Sequence, residues 1–190
     1  YSVTGPFTQG FVDEWHHTRM GEYTYACSDF KFKKGLVSAT KTSGHTLQIA
    51  DGLWLDKKFK AAMMKSIAQS ELDRKRFVYS DIGFILLQQV VEAVTGKTLD
   101  AYLVSEFYRP MGLEHTLFQP LNRYKKADIM PTAANDYLRR QDLCGYVYDE
   151  AAAFMGGVSG NAGLFSTAQE LGKIYQMILN EGELDGKRYL

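Results

Sequence analysis

Several things are scarce in this chain of 190 residues, and each scarcity excludes something. There are two cysteines, Cys27 and Cys144. They can pair in an oxidising compartment or stay free, and two isolated thiols without a nearby Cys or His partner make a poor zinc site. Net charge is also lacking: 22 Lys and Arg balance 22 Asp and Glu. A nucleic-acid partner calls for a strong positive field, so none is expected. No apolar run approaches the ~20 residues of a membrane helix, the longest being Ile82 to Leu87 with Gly83 inside it, so no transmembrane segment is expected. Internal repeats and low-complexity linkers are missing too. Tyr1 is not an initiator methionine, no charged and then apolar leader follows it, and Lys187 to Leu190 come straight after a turn. The chain reads as a piece of something longer.

What is present suits one globular unit. A hydrophobic content of 45% with 23% charged residues is ordinary, and at this length it builds one core, so residues 1–190 are expected to form a single domain. Residues 1–50 are irregular, punctuated by Gly5-Pro6, Gly10, Gly21, Gly35 and Gly44, and short strands fit them better than helix. The adjacent His16 and His17 diverge on any helix and are expected to pack or face solvent rather than grip a metal.

From residue 51 to 118 the pattern turns helical. A turn at Asp51-Gly52 leads to a helix over about 56–69, with Phe59, Met63 and Ile67 facing inward and Lys57, Lys58, Lys60 and Lys65 outward. Residues 119–165 are loop-rich around Pro120 and Pro131, with a short helix expected near Asn135 to Gln141. A last helix over about 166–181 starts at Ser166 or Thr167 with Glu170 completing a capping box. Leu171, Ile174, Tyr175, Ile178 and Leu179 are its expected buried face. The fold class that follows is mainly α with a few short strands, an α+β arrangement.

The stretch that carries chemistry runs from Phe77 to Phe118. Tyr79-Ser80-Asp81 lies between a β-prone pair and a long apolar helix marked by Ile82, Ile85, Leu86, Val90 and Val94. Asp81 is the natural N-cap, and Thr95-Gly96 closes the helix. Thr98 then caps a second helix with Leu99, Tyr102, Leu103 and Phe107, which stops before Arg109-Pro110. A tyrosine at a strand-to-helix junction can be aimed into a cleft, or can simply pack.

Other apparent motifs carry less. Ser28-Asp29-Phe30-Lys31 has the S-x-x-K form, but Lys33, Lys34 and Gly35 follow it, and such charge density does not suit a buried nucleophile helix. Lys41-Thr42-Ser43-Gly44 lies upstream of Tyr79, out of order for a Lys-Thr-Gly motif. Gly96-Lys97-Thr98 lacks the earlier glycine of a phosphate loop. Asp149-Glu150 reads as charge at a helix start. Gly156, Gly157, Gly160 and Gly163 lack dinucleotide spacing and let backbone approach a cleft wall.

YSDIGFILLQQVVEAVTGKTL followed by FYRPMGLEHTLF resembles the Tyr-x-Asn region of serine hydrolases of the class C β-lactamase and penicillin-binding type. FMGGVSGNAGLFSTAQELGKIYQMILNEGELDGKRYL is similar to a later block of the same family. The aspartate-type motif, the VYDEAAAFMGGVSGNAGLFSTA run and IADGLW bring it nearest to the β-lactamase-like module fused to bacterial glycoside hydrolase family three enzymes.

The resemblance implies the helical lobe of that fold and acyl transfer to a serine, with no cofactor. By the same carry-over, Tyr79 is a proton shuttle, Asp81 stands where the Asn stands, and Ser80, Gly156 and Gly157 are substrate-binding. It further implies a small-molecule or cell-wall peptide substrate, the remainder of a parent chain as partner, and a bacterial periplasm or envelope. Because Asp accepts where Asn donates, a β-lactam amide loses its usual donor, and an ester or a basic peptide suits Asp81 better. Asp81 as a helix cap alone stays open, as does a non-catalytic cell-wall or glycan binding module beside a glycosidase. The S-x-x-K nucleophile and third motif have no convincing copy, so the piece alone is expected to be inactive.

Overall fold

A computed structural model of the chain describes residues 17–19, 25–27, 32–70 and 79–190. The Ser28 to Lys31 motif and the β-prone pair Phe77-Val78 fall outside these. The architecture is mixed α+β. Among the described residues, strands β1 (His17–Arg19) and β2 (Tyr25–Cys27) pair antiparallel. Strands β3 (Val37–Ser38), β4 (His45–Ala50) and β5 (Leu53–Asp56) form a three-stranded sheet with β5 in the middle. Helix α1 (Phe59–Gln69) follows, then α2 (Asp81–Thr95) and α3 (Leu99–Leu103), which runs on as a π-helical turn over Val104–Tyr108. Strand β6 (Leu117–Phe118) pairs with β9 (Leu164–Phe165). Strands β7 (Pro131–Asp136) and β8 (Gln141–Cys144) make a hairpin. Helices α4 (Glu150–Phe154) and α5 (Ala168–Leu179) and the short pair β10 (Glu183–Leu184) and β11 (Lys187–Arg188) complete the order.

Strand structure is thus richer than the sequence suggests. The short helix expected near Asn135 to Gln141 is instead the turn of the β7–β8 hairpin. Asp136 explains it. Its carboxylate accepts from the Arg139 backbone N–H at 2.6 Å and from Arg139 Nε and Nη2, both at 2.8 Å, so the side chains close the turn themselves. Both side chains are fully buried. The same guanidinium donates to the carbonyls of Val147 and Tyr148 and so holds the strand of chain that leads to α4.

The main core gathers Leu55, Phe59, Met63, Ile67, Ile85, Leu138 and Phe154. The inward face expected for α1 is the one that is buried. Phe154, fully buried, lies with its ring 5.3 Å from that of Phe59. A second cluster joins Tyr108, Met111 and Leu113 to Met177 and Leu184. The turn after β4 is tied to β8: Asp51 and Gln141 exchange hydrogen bonds of 3.0 and 3.1 Å, and the Asp51 carboxylate accepts from Lys126 and from the Tyr146 hydroxyl.

Two expected apolar faces are not covered by the described residues. On α2 only Ile85 and Gln88 are buried, and Leu86, Leu87, Val90 and Val94 are exposed. On α5 Met177 is buried, whereas Leu171, Tyr175, Ile178 and Leu179 are exposed. Each apolar stripe runs further round its helix than its neighbours reach. Large apolar side chains on both helices are left exposed among the described residues.

The capping box at the start of α5 forms only in part. Thr167 is the N-cap and accepts from the Glu170 N–H. Glu170 does not reach back. Its carboxylate turns to residues 114–116, accepting from the N–H groups of Glu114 (2.9 Å) and His115 (3.0 Å), from His115 Nδ1 (2.9 Å) and from the Thr116 hydroxyl (2.7 Å). Burial pushes this carboxyl up, but the donors from Thr116, His115 and Glu114 outweigh it and hold it down at about 2, against an ordinary 4.5. A depressed folded-state pKa means that the unfolded chain binds the proton first. The stability that this carboxylate contributes is therefore complete above pH 4.5 and drains away as pH falls towards 2. Acid titration followed by circular dichroism should show an unfolding step in that window, and Glu170→Gln should flatten it while lowering stability at pH 7.

Candidate functional site

Helix α2 begins at the candidate motif. Ser80 has extended backbone (φ −150°, ψ 132°), and its Oγ accepts from the Ile82 N–H at 3.3 Å. Ser80 is therefore the N-cap, and Asp81, already helical, is the first residue of the helix. This corrects the expectation that Asp81 is the cap, and it commits the Ser80 hydroxyl to the helix end. Gly96 closes α2 in the left-handed conformation at φ 68°, as expected. Thr98 is the N-cap of α3 by position but makes no side-chain capping bond.

Tyr79 is 62% exposed, and its ring leans on Phe84 at 5.7 Å. Its hydroxyl has no hydrogen-bond partner among the described residues. Asp81 is half-buried and faces Asp149. Burial, with the charge of Asp149 behind it, pushes the Asp81 carboxyl up from its ordinary range. Asp149 is the N-cap of α4: it accepts from the Ala152 N–H at 2.7 Å and from Asn161 Nδ2 at 3.0 Å. Asn161 Oδ1 in turn accepts from the Ser159 hydroxyl at 2.6 Å. The reading of Asp149-Glu150 as helix-start charge holds, and the same carboxylate is also the acidic neighbour of Asp81.

The glycine segment is brought to α2 by Gln88, which is 2% exposed. Its Oε1 accepts from the Gly160 N–H at 3.1 Å, and its Nε2 donates to the Val158 carbonyl at 3.3 Å and to Glu92 at 2.9 Å. Gly160 lies so close that an added Cβ would stand 2.2 Å from the Phe84 carbonyl oxygen. A glutamine within Ile85-Leu86-Leu87-Gln88 was the available signal, since a polar side chain in an apolar stretch must find partners when buried. Asp149, Asn161 and Ser159 had no such signal, because their meeting depends on how two loops cross.

Gly156 and Gly157 do approach a cavity wall, at φ 93° and 83°. That cavity, of about 310 Å³, lies beneath the β4–β5 hairpin, and Tyr79, Ser80 and Asp81 do not line it. The structure thus joins Tyr79, Ser80 and Asp81 at one helix start, adds Asp149, and leaves the two glycines on another wall. Lys41-Thr42-Ser43-Gly44 is the turn entering β4, with Thr42 Oγ1 accepting from the N–H groups of Gly44 and His45. Among the described residues no group of three or more His, Cys, Asp or Glu could hold a metal ion, and no helix is long and apolar enough to cross a membrane.

An exposed tyrosine at a helix N-terminus, a helix pinned to a glycine-rich loop and a capped final helix are the features that the candidate site offers. The chain belongs to the Beta-lactamase family, whose model matches residues 39–190. It is similar to an Escherichia coli K12 protein named "Putative D-alanyl-D-alanine carboxypeptidase", at 34% identity over 93% of this chain and 43% of that protein. An N-acetylmuramyl-L-alanine amidase of Bacillus subtilis is 41% identical over 56% of this chain and 27% of its own length. The chain thus spans less than half the length of these relatives.

The contact at Gly160 gives a test of the site's framework. Gly160→Ala should push the loop off α2 and cost about 1–3 kcal/mol, the usual range for overpacking. Chemical denaturation measures this, and the near-ultraviolet signal of Tyr79 and Phe84 should change with it.

Proposed function

We propose that these residues are the helical lobe of a cell-wall serine acyl hydrolase, acting on a peptide, amide or ester, with Tyr79-Ser80-Asp81 as its second catalytic motif. The observation that carries this reading is the state of Tyr79: an exposed phenol without a partner among the described residues, fixed at the start of the helix that anchors the core. A phenol with an ordinary pKa of about 10 shuttles protons at neutral pH only beside a cation. The S-x-x-K lysine of a longer chain supplies one, and the exposed faces of α2 and α5 offer that remainder a surface to pack on. Without it the lobe is catalytically silent. Ser80 reaches substrate through its backbone, since its hydroxyl caps the helix, and the Gly156-Gly157 wall borders the substrate's distal part.

Asp81 sets the substrate preference. With Asp149 near, this end of the site is acidic, and it favours an ester or a substrate bearing a positive group over an amide that needs a donor. The relatives' names, a D-alanyl-D-alanine carboxypeptidase and a muramyl amidase, support cell-wall chemistry and an envelope location. The aspartate-type motif favours a glycosidase as a neighbour in the same longer chain.

An intact-mass spectrum after exposure to a fluorophosphonate, and separately to a penicillin, tests the silence of the lobe. The expected spectrum shows no adduct. An adduct mapped to Ser28 would make Ser28-Asp29-Phe30-Lys31 a working nucleophile and overturn the reading.

A further inference from the structure

Three elements each turn one face towards a second cavity, of about 350 Å³. On α2 the lining residues Phe84, Leu87, Gln88 and Val91 fall at helical spacing along one stripe. On α3 Leu99 and Leu103 are four apart, and the π-helical turn that follows adds a residue, so that Tyr108 rather than Phe107 continues their line. Phe118 of β6 and Leu164 of β9 stand directly opposite in register, which sets both on one face of that pair. The loop over 159–162 closes the remaining side. An apolar cavity of roughly 150 Å³ holds a benzene ring, so this one has room for a ring with a short chain.

The polar groups on this wall are unequal. None of the described residues that line it is charged. Gln88, Ser159 and Asn161 already have hydrogen-bond partners, as given above. Tyr108 has none among the described residues, although it is only 7% exposed, and burial alone pushes its phenol up to about 12. A phenol that keeps its proton is a donor, and a buried donor without an acceptor costs free energy. Among the described residues the side-chain atom that is both sealed off and unpaired is Gln89 Nε2, so the unpaired Tyr108 hydroxyl opens on a space, and this cavity is the space whose wall it forms. An apolar room with one free donor is the usual plan of a small-ligand site.

We propose that this cavity binds a neutral, mainly apolar small molecule carrying one hydrogen-bond-accepting oxygen, with its apolar body between α2, α3 and the β6–β9 pair and its oxygen on the Tyr108 hydroxyl. An aryl ketone or ether with a ring and a short chain fits the volume. A carboxylate does not fit, because nothing on the wall offsets its charge. The site goes beyond the acyl-hydrolase reading and stands without it. It is separate from the cavity beside Gly156 and Gly157, and it meets the candidate motif through Phe84, on which the Tyr79 ring leans.

Amide chemical shifts of the isotope-labelled chain, followed during titration with benzylacetone and separately with phenylbutyrate, test it. Benzylacetone is a neutral ketone, and phenylbutyrate has the same ring and chain but ends in a carboxylate. The ketone should shift the wall residues, Leu99, Tyr108 and Leu164 among them, and the carboxylate should bind about tenfold more weakly or worse. Tyr108→Phe keeps the packed ring and removes the donor, so it should weaken ketone binding about tenfold. Ala162→Phe, at a half-buried position on the wall, should fill the space and abolish binding, with circular dichroism confirming the fold of both variants. No shift on adding ketone to the folded chain, or an affinity that either folded variant leaves unchanged, overturns the assignment. A carboxylate that binds as tightly as the ketone overturns it too. Each of these outcomes leaves the acyl-hydrolase reading to the adduct experiment, which decides it separately.

Discussion

The close approach of the Phe84 carbonyl and Gly160 is the constraint on which this architecture turns. Only a residue without a Cβ lets the two backbones come so near, and Gln88 bridges them by bonding to both Gly160 and Val158. The loop from residue 158 to 161 is thereby locked to α2. Because Asn161 also binds Asp149, the lock carries Asp149 to the start of the same helix, next to Asp81. From the other side, the buried Arg139–Asp136 pair grips the carbonyls of Val147 and Tyr148 and fixes the chain just before Asp149. A buried ion pair is weak evidence for stability, but removing one partner strands the other at a typical cost of about 3–5 kcal/mol. Here it sets the position of the acidic neighbour of Asp81.

The two anchored loops contrast with the bare helix faces. Leu86, Leu87, Val90 and Val94 on α2, and Tyr175, Ile178 and Leu179 on α5, present apolar surface that nothing among the described residues covers. The side of α2 that meets the core is narrow, Ile85 and Gln88, while the apolar stripe is wide. In the proposed arrangement that excess is the docking surface for the remainder of a serine hydrolase, so the same helix anchors the lobe on one side and its missing partner on the other.

How much of this was legible in the sequence depends on the range of the interaction. The helix carrying Tyr79, its closure at Gly96 and the inward face of α1 follow from local spacing, and they stand as read. The cap lies one residue before the expected Asp81 because Ser80 and Asp81 are both good caps, and only the extended backbone at Ser80 decides between them. The β7–β8 turn replaces the helix expected near Asn135 to Gln141 because these residues hold no apolar alternation, and the Asp136–Arg139 pair that closes it is a three-dimensional fact. Glu170 looked like a capping box and instead ties α5 to residues 114–116, more than fifty positions away. The face of α5 expected to be buried is exposed at Leu171, Tyr175, Ile178 and Leu179 among the described residues, because periodicity shows an apolar stripe but not whether the element that covers it lies in the same stretch of chain. Of the candidate site, the meeting of Tyr79, Ser80 and Asp81 at one helix start follows from their adjacency in the chain, whereas Asp149 and Asn161 arrive only through the Gln88 lock.

The claim that matters most is that Tyr79 moves a proton rather than merely starting a helix. It is tested most directly by turnover of a D-alanyl ester by the longer chain proposed above, with an S-x-x-K serine, comparing Tyr79 with Tyr79→Phe at equal melting temperature. A phenol that is 62% exposed contributes little to packing, so Tm should hold while turnover falls on the order of 10²-fold or more. Unchanged turnover, or a loss explained by a lowered Tm, would contradict the account and leave Tyr79 as a surface residue at a helix start.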